Sequence, residues 1–364
     1  MTKESEIKQY LKRSANNLPG IDQAAAYSLQ MRFPLAAVLS AYKKYLKHNP
    51  GSLNAAFNYA YYLSKDGQFE SAIDMYKRCI KRGIDKPEEV HLNIANICMD
   101  QLHDVTQAKL QLEQALGKKP RYASAYYNLG NLSEQEGDRS AAIHCFEQCL
   151  KFEPSNESAL ARLVDAHTLL EIDDPLLIRL INTAGKSNNS DVHFVLGSAF
   201  EKLEDYKLAW KHFTRGNKLD RSAFPTYRQD LTENSFNRII SQCDAKWLSG
   251  FGGDSDESVF ICGMFRTGST LLEQVLAAHP AFTAGGEREF FPRLVSKEFR
   301  EFPLGLSDVS DEKLALWRKQ HRQQLEKHFG GSSRVTDKRP DNFHHIGLIK
   351  AVLPSAKFIV TERD

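Results

Sequence analysis

The stretch ASAYYNLGNLSEQEGDRSAAIHCFEQCLKFEPSN, residues 123–156, decides how the first half of this chain is read. It is 34 residues long, and the 34 residues before it, Glu89–Tyr122, run through the same residue classes in the same order. Position 4 of the frame is Leu92 and Tyr126, position 7 Ala95 and Leu129, and position 8 Asn96 and Gly130. Position 20 is Ala108 and Ala142, position 24 Leu112 and Phe146, position 27 Ala115 and Cys149, and position 32 Pro120 and Pro154. A fixed period of this length is the signature of stacked supersecondary units, each too small to bury its own apolar face.

Working outward, the frame fits Leu53–Lys86 through Ala56, Tyr59, Ala60, Leu63, Ala72, Tyr76 and Cys79, with Pro87-Glu88 as a two-residue insertion. It fits Ser190–Ala223 through His193, Leu196, Gly197, Phe200, Ala209 and Phe213. Pro19–Ser52 is a weaker copy, and Glu157–Asn189 starts in frame and degenerates around Asp173-Asp174-Pro175. Small residues at positions 8, 20 and 27 let two antiparallel helices approach, while large residues at 4, 7, 11 and 24 fill the space between them. Gly67 and Gly137 stand where the first helix must stop, and the closing proline ends the second. The pattern resembles the tetratricopeptide repeat (TPR) family over residues 1–223, with five or six units. The resemblance implies an all-α solenoid with a concave face along its first helices. Tyr61, Asn93, Asn96, Asn128 and Asn131 are candidates for that face. Two readings of the asparagines stay open: they grip a peptide backbone, or they satisfy neighbouring helices.

Composition bounds the rest. The 364 residues are 41% hydrophobic and 26% charged, which fits a folded chain of two or three domains. Forty-eight basic against 46 acidic residues leave +2, so bulk charge gives no footprint for nucleic acid, and any anion site must be local. The polar start has no apolar signal core, and no apolar run nears the length of a membrane span. Cys79, Cys98, Cys145, Cys149, Cys243 and Cys262 form no CxxC pair and read as reduced packing residues. A cytoplasmic location is the expectation, and no metal-ligand cluster is visible.

The repeat frame ends near Ala223. Residues 224–257 read as a connector, helical from about Tyr227 to Trp247 and then rich in Gly, Ser and Asp. Ser258-Val259-Phe260-Ile261-Cys262 reads as a buried parallel strand. It runs into Gly263-Met264-Phe265-Arg266-Thr267-Gly268-Ser269-Thr270 and then a helix from Leu271 to His279. A strand, a Gly-bounded loop and a helix start cradle anions, because free backbone N–H groups and the helix dipole point at the loop. Ser269 stands where a Walker A loop has its lysine, so a nucleotide triphosphatase would lack its main cation. The cation here comes earlier, at Arg266.

That loop resembles the 5′-phosphosulfate loop of sulfotransferases that use 3′-phosphoadenosine 5′-phosphosulfate (PAPS). The run from His279-Pro280 to Pro292-Arg293 is similar, without a gap, to the segment of tyrosylprotein sulfotransferases that carries the catalytic glutamate. The resemblance places Glu287 on that glutamate, Lys338 of Lys338-Arg339-Pro340 on the lysine that faces the sulfuryl group, and Arg363 on the 3′-phosphate-binding arginine at the end of a third strand. Arg334–Asp337 reads as the second strand, and the helix between it and the third carries an apolar stripe of Phe343, Ile346, Ile349 and Val352. The family resemblance implies an α/β, P-loop-like, parallel-sheet domain over 258–364. In that family the 3′-phosphate site is completed by a serine several residues beyond the Arg-Asp pair, so the resemblance implies a domain truncated at its C-terminus.

The implied reaction moves a sulfuryl group from PAPS to an acceptor hydroxyl on tyrosine, a sugar or a small molecule, without a metal. Arg266, Thr267, Gly268, Ser269, Thr270 and Arg363 are the donor-binding set; Glu287, Lys338 and Arg266 are the catalytic set. The acceptor could be a peptide or protein held by the repeats. Two rivals remain: a repeat scaffold with a non-catalytic nucleotide-binding domain, and a P-loop phosphotransferase.

Overall fold

The computed structural model describes residues 6–7, 9–11, 16–31, 33–102, 104–167, 171–223, 226–252, 258–299, 301–330 and 334–363. Phe224-Pro225, most of the Gly/Ser/Asp stretch that precedes the first strand, and Asp364 lie outside them. The chain divides into compact units Met1–Thr226 and Tyr227–Asp364. Among the described residues no helix is long and apolar enough to cross a membrane.

The first unit is a series of helix pairs. They are α1 (Leu18–Gln30) with α2 (Ala36–His48), α3 (Leu53–Lys65) with α4 (Phe69–Lys81), and α5 (Pro87–Asp100) with α6 (Val105–Lys118). Then follow α7 (Ala123–Gln135) with α8 (Arg139–Phe152), α9 (Glu157–Ala166) with α10 (Pro175–Ala184), and α11 (Ser190–Lys202) with α12 (Tyr206–Ala223). Each pair matches one unit of the sequence frame. Polar caps open many of the helices: the side chains of Ser52, Asp104, Asp138, Asn156, Asp174 and Asn189 accept from backbone N–H groups of the first turn.

The small-against-large rule has a direct geometric cause. A Cβ on Gly130 would meet the Phe146 ring at 2.4 Å, and one on Gly197 would meet Phe213 at 2.6 Å. Position 8 must therefore be small wherever position 24 is aromatic. In the second unit Ala60 and Tyr76, both fully buried, make the same pair. Gly67 and Gly137 turn the chain with φ of 79°. Glu204 takes the same left-handed turn at φ 60° in the last unit, with no glycine. Pro87 and Glu88 are absorbed as the first turn of α5 rather than as a loop. The degenerate unit keeps its pair with both helices cut to 10 residues, and Asp174-Pro175 is the cap and first turn of the second. Asn93 donates to the carbonyl of Glu89 in its own helix, the bland reading for that residue. The side-chain oxygens of Asn96 and Asn131 are buried and have no partner among the described residues.

The second unit is built on four parallel strands. In chain order it has α13 (Gln229–Gln242), α14 (Ala245–Leu248), β1 (Val259–Gly263), α15 (Ser269–Ala277), β2 (Phe282–Thr283) and α16 (Phe290–Glu298). It continues with α17 (Asp311–Phe329), β3 (Arg334–Lys338), a 3₁₀ turn (Pro340–His345), α18 (Ile346–Val352) and β4 (Lys357–Thr361). The sheet order is β2-β3-β1-β4. β1 is buried along its whole length, and β4 lies at an edge with Val360 57% exposed.

Three sequence expectations change. The segment read as a connector packs into this unit: Phe236 stacks on Phe343 and His344, and Cys243 sits so close that a Cβ on Gly347 would meet its sulfur at 2.3 Å. The expected apolar stripe on one helix is divided, because Pro340 starts a 3₁₀ turn and α18 begins only at Ile346, leaving Gly347, Leu348, Ile349, Ala351 and Val352 as the buried set. The third strand stops at Thr361, so Arg363 stands beyond it rather than at its end.

Candidate active site

The parallel register brings the C-terminal ends of β1, β3 and β4 together. Ile261 lies opposite Lys338, and Gly263 opposite Thr361. β1 leads to β2 on one side while β3 leads across it to β4, so the strand ends flank a switch of direction, where open α/β sheets form ligand crevices. Gly263 is required there. A Cβ would lie 2.3 Å from the Thr361 carbonyl oxygen, and the residue has φ 153°.

The loop after β1 keeps an unusual backbone. Arg266 is left-handed at φ 69° without being glycine, and Gly268, at φ 90°, caps the nine-residue α15. Such strain in a non-glycine residue gathers at functional sites. The Thr267 hydroxyl donates to the Met264 carbonyl at 2.7 Å and pairs with the Thr361 hydroxyl at 2.6 Å. It is therefore the brace of the loop, and its N–H is what it can offer a ligand. Ser269 is 6% exposed at the helix start, and Thr270 is exposed. The first N–H groups of any helix lack intrahelical partners. Arg363 reaches back to the Arg266 carbonyl at 3.4 Å, which sets both guanidinium-bearing residues at one loop. All the donors here are N–H, O–H or cationic, and the loop from Gly263 to Thr270 holds no carboxylate. The set suits an anion.

Glu287 and Lys338 meet. Lys338 donates from Nζ to Oε1 of Glu287 at 2.7 Å, its side chain 9% exposed against 54% for the glutamate. The lysine is fixed below, and the carboxylate faces solvent. The loop that carries Glu287 is tied to β3 on both sides. The Lys338 N–H donates to the Gly286 carbonyl at 2.8 Å, and the Arg288 N–H to Oδ1 of Asp337 at 3.4 Å. Gly285 passes so close to β3 that a Cβ would lie 2.0 Å from the Thr336 carbonyl oxygen. Arg339, next in the motif, pairs with Glu289 and with Asp341 at 2.7 Å.

Sequence reasoning did not single out Asp337, which is 4% exposed. Burial holds its carboxyl up at about 7, against an unfolded value of 3.8. Between those values the folded chain binds this proton more tightly than the unfolded chain does. Its contribution to stability is full below the lower value and is lost as pH rises through about 7. Asp337→Asn keeps an acceptor for the Arg288 N–H and should remove that part of the decline. Denaturant unfolding from pH 4 to 8 checks it; the same slope in both proteins would contradict the assignment.

Residues 258–364 match the sulfotransferase family, and residues 41–74 and 87–225 match tetratricopeptide repeats. An uncharacterized protein of Aquifex aeolicus (strain VF5) is 25% identical over 299 residues, 77% of this chain and 38% of that protein. The general transcriptional corepressor ssn6 of Schizosaccharomyces pombe is 30% identical over 121 residues, 33% of this chain and 11% of its own length. The chain thus spans well under two thirds of either relative. Among solved structures, MamA is similar at TM-score 0.32 and 18% identity, over 51% of this chain and 89% of its own. YrrB, described as a TPR protein with an unusual peptide-binding site, is similar at TM-score 0.38 and 15% identity, over 50% of this chain and 93% of its own. The chain joins tetratricopeptide repeats to a segment of the sulfotransferase family.

Proposed function

We propose that this protein transfers a sulfuryl group from PAPS to an acceptor hydroxyl, and that its repeats hold a peptide or protein partner, the acceptor or a protein that brings it. The observation that carries the reading is the Lys338–Glu287 pair at 2.7 Å, set on the strand next to the one that opens the anion loop. The donor, when bound, supplies an activated sulfuryl group on its 5′-phosphate.

The residues then divide the work. Thr267–Thr270 offer backbone N–H groups to the anion, and Arg266 offsets its charge. Glu287 accepts the proton of the attacking hydroxyl. Lys338 holds that carboxylate in place and would offset charge that grows on the leaving oxygen; such fixed electrostatics act without reorganisation. Arg363 reads the 3′-phosphate with its planar fork. The repeats fit a protein partner because a stack of helix pairs offers an extended concave surface.

Thermal unfolding of the protein with 3′-phosphoadenosine 5′-phosphate or ATP tests the donor class. A ligand at 100 times its Kd adds about 2.7 kcal/mol to stability. A rise in Tm with the first nucleotide only is expected. A rise with ATP only would point to phosphoryl transfer, and no rise with either would remove the enzyme reading.

A further inference from the structure

Helix α15 buries a carboxylate while two of its apolar side chains face outward. Leu271 and Val275 are 70% and 61% exposed, while Glu273 is 3% exposed. A helix beside a sheet ordinarily turns its apolar stripe inward, and a buried carboxylate is costly unless hydrogen bonds compensate it. Two do. Oε1 of Glu273 accepts from the Thr336 hydroxyl at 2.6 Å and from the Gly286 N–H at 3.1 Å. The Thr336 hydroxyl, fully buried on β3, in turn accepts from the Gly285 N–H at 3.2 Å. Both peptides that lead into Glu287 are thus held through one carboxylate, and that carboxylate belongs to the helix whose first turn forms the anion loop.

We infer that Glu273 is a positioning residue: it ties the Gly285–Arg288 loop to α15 and so fixes Glu287 relative to the anion loop. The inference rests on the proposed sulfuryl transfer only for its consequence in turnover; the tie itself is readable without it. A buried carboxylate in a mostly apolar helix is where sequence rules give way to function.

The test compares Glu273→Ala with Glu273→Gln in the full chain by amide hydrogen exchange, with turnover and 3′-phosphoadenosine 5′-phosphate affinity as further readouts. Loss of hydrogen bonds to a buried charged group should speed exchange at Gly285–Arg288 by about 5- to 100-fold in the alanine variant. Thr267–Thr270 should exchange as before, and nucleotide affinity should stay within about twofold, while turnover falls by about tenfold or more, as expected when a reacting group shifts by a fraction of an ångström. Glutamine keeps the accepting oxygen and should restore both loop exchange and turnover. If the alanine variant does not fold, Thr336→Val against Thr336→Ser asks the same question with less volume change. Unchanged exchange at Gly285–Arg288 overturns the tie, and faster exchange with full turnover overturns the positioning role. A wild-type protein that transfers no sulfuryl group yet shows the exchange pattern keeps the tie and removes the sulfotransferase reading instead.

Discussion

Glu287→Ala is expected to slow sulfuryl transfer by about 10²- to 10⁴-fold, the range that general-base catalysis supplies, while nucleotide affinity holds. The carboxylate is half exposed and takes no part in the anion loop. Removing it, however, leaves Lys338, 7% exposed, without its partner, and an unpaired buried cation is itself destabilising. Glu287→Gln separates the two effects. It keeps an oxygen for the Lys338 ammonium and removes the base. Equal slowing in both variants, by steady-state kinetics at saturating donor, is the expected result. Full turnover in the glutamine variant would take Glu287 out of the mechanism.

Gly285→Ala should be nearly as damaging, through geometry rather than chemistry. The added Cβ would sit 2.0 Å from the Thr336 carbonyl oxygen and 2.8 Å from a Val335 methyl. The first is backbone in a buried strand, so the loop must lift away. Lifting it weakens the Gly285 N–H bond to Thr336 and the Lys338 N–H bond to the Gly286 carbonyl. At about 1 kcal/mol each, with strain in addition, roughly 2–4 kcal/mol of stability goes. A displacement near 1 Å at Glu287 costs about 10² in rate. Denaturant unfolding and turnover on the same preparation check both; wild-type values in both would show that the close approach is not required.

The repeat array was legible because each constraint is local. Phe146 and Gly130 lie 16 positions apart in one helix pair, and their fit recurs every 34 residues, so the code is written several times over. The strand, loop and helix around Arg266 were legible for the same reason, since they form one continuous stretch. Glu287 and Lys338 were each legible by family resemblance. Their contact was not, because they lie 51 positions apart and only the β2–β3 pairing brings them together. Glu273 was invisible for a subtler reason. Ser-Thr-Leu-Leu-Glu-Gln-Val-Leu reads as an ordinary helix, and only the tertiary fold turns its glutamate inward. The sequence signal that existed was Thr336, a hydroxyl in the middle of a strand whose neighbours are buried. The 19-residue α17 was missed as well. Ser310 caps it and Gly330 ends it, but its mostly polar sequence hides the buried Leu314, Trp317 and His321.

The central claim is that the turn opening α15 binds the donor through its backbone. An NMR titration of the isotopically labelled protein with 3′-phosphoadenosine 5′-phosphate reads that contact directly. Saturating shifts are expected at the amides of Thr267, Gly268, Ser269 and Thr270 and at the Arg363 guanidinium. Saturable binding that leaves those amides unmoved, or no binding at millimolar nucleotide, would contradict the claim.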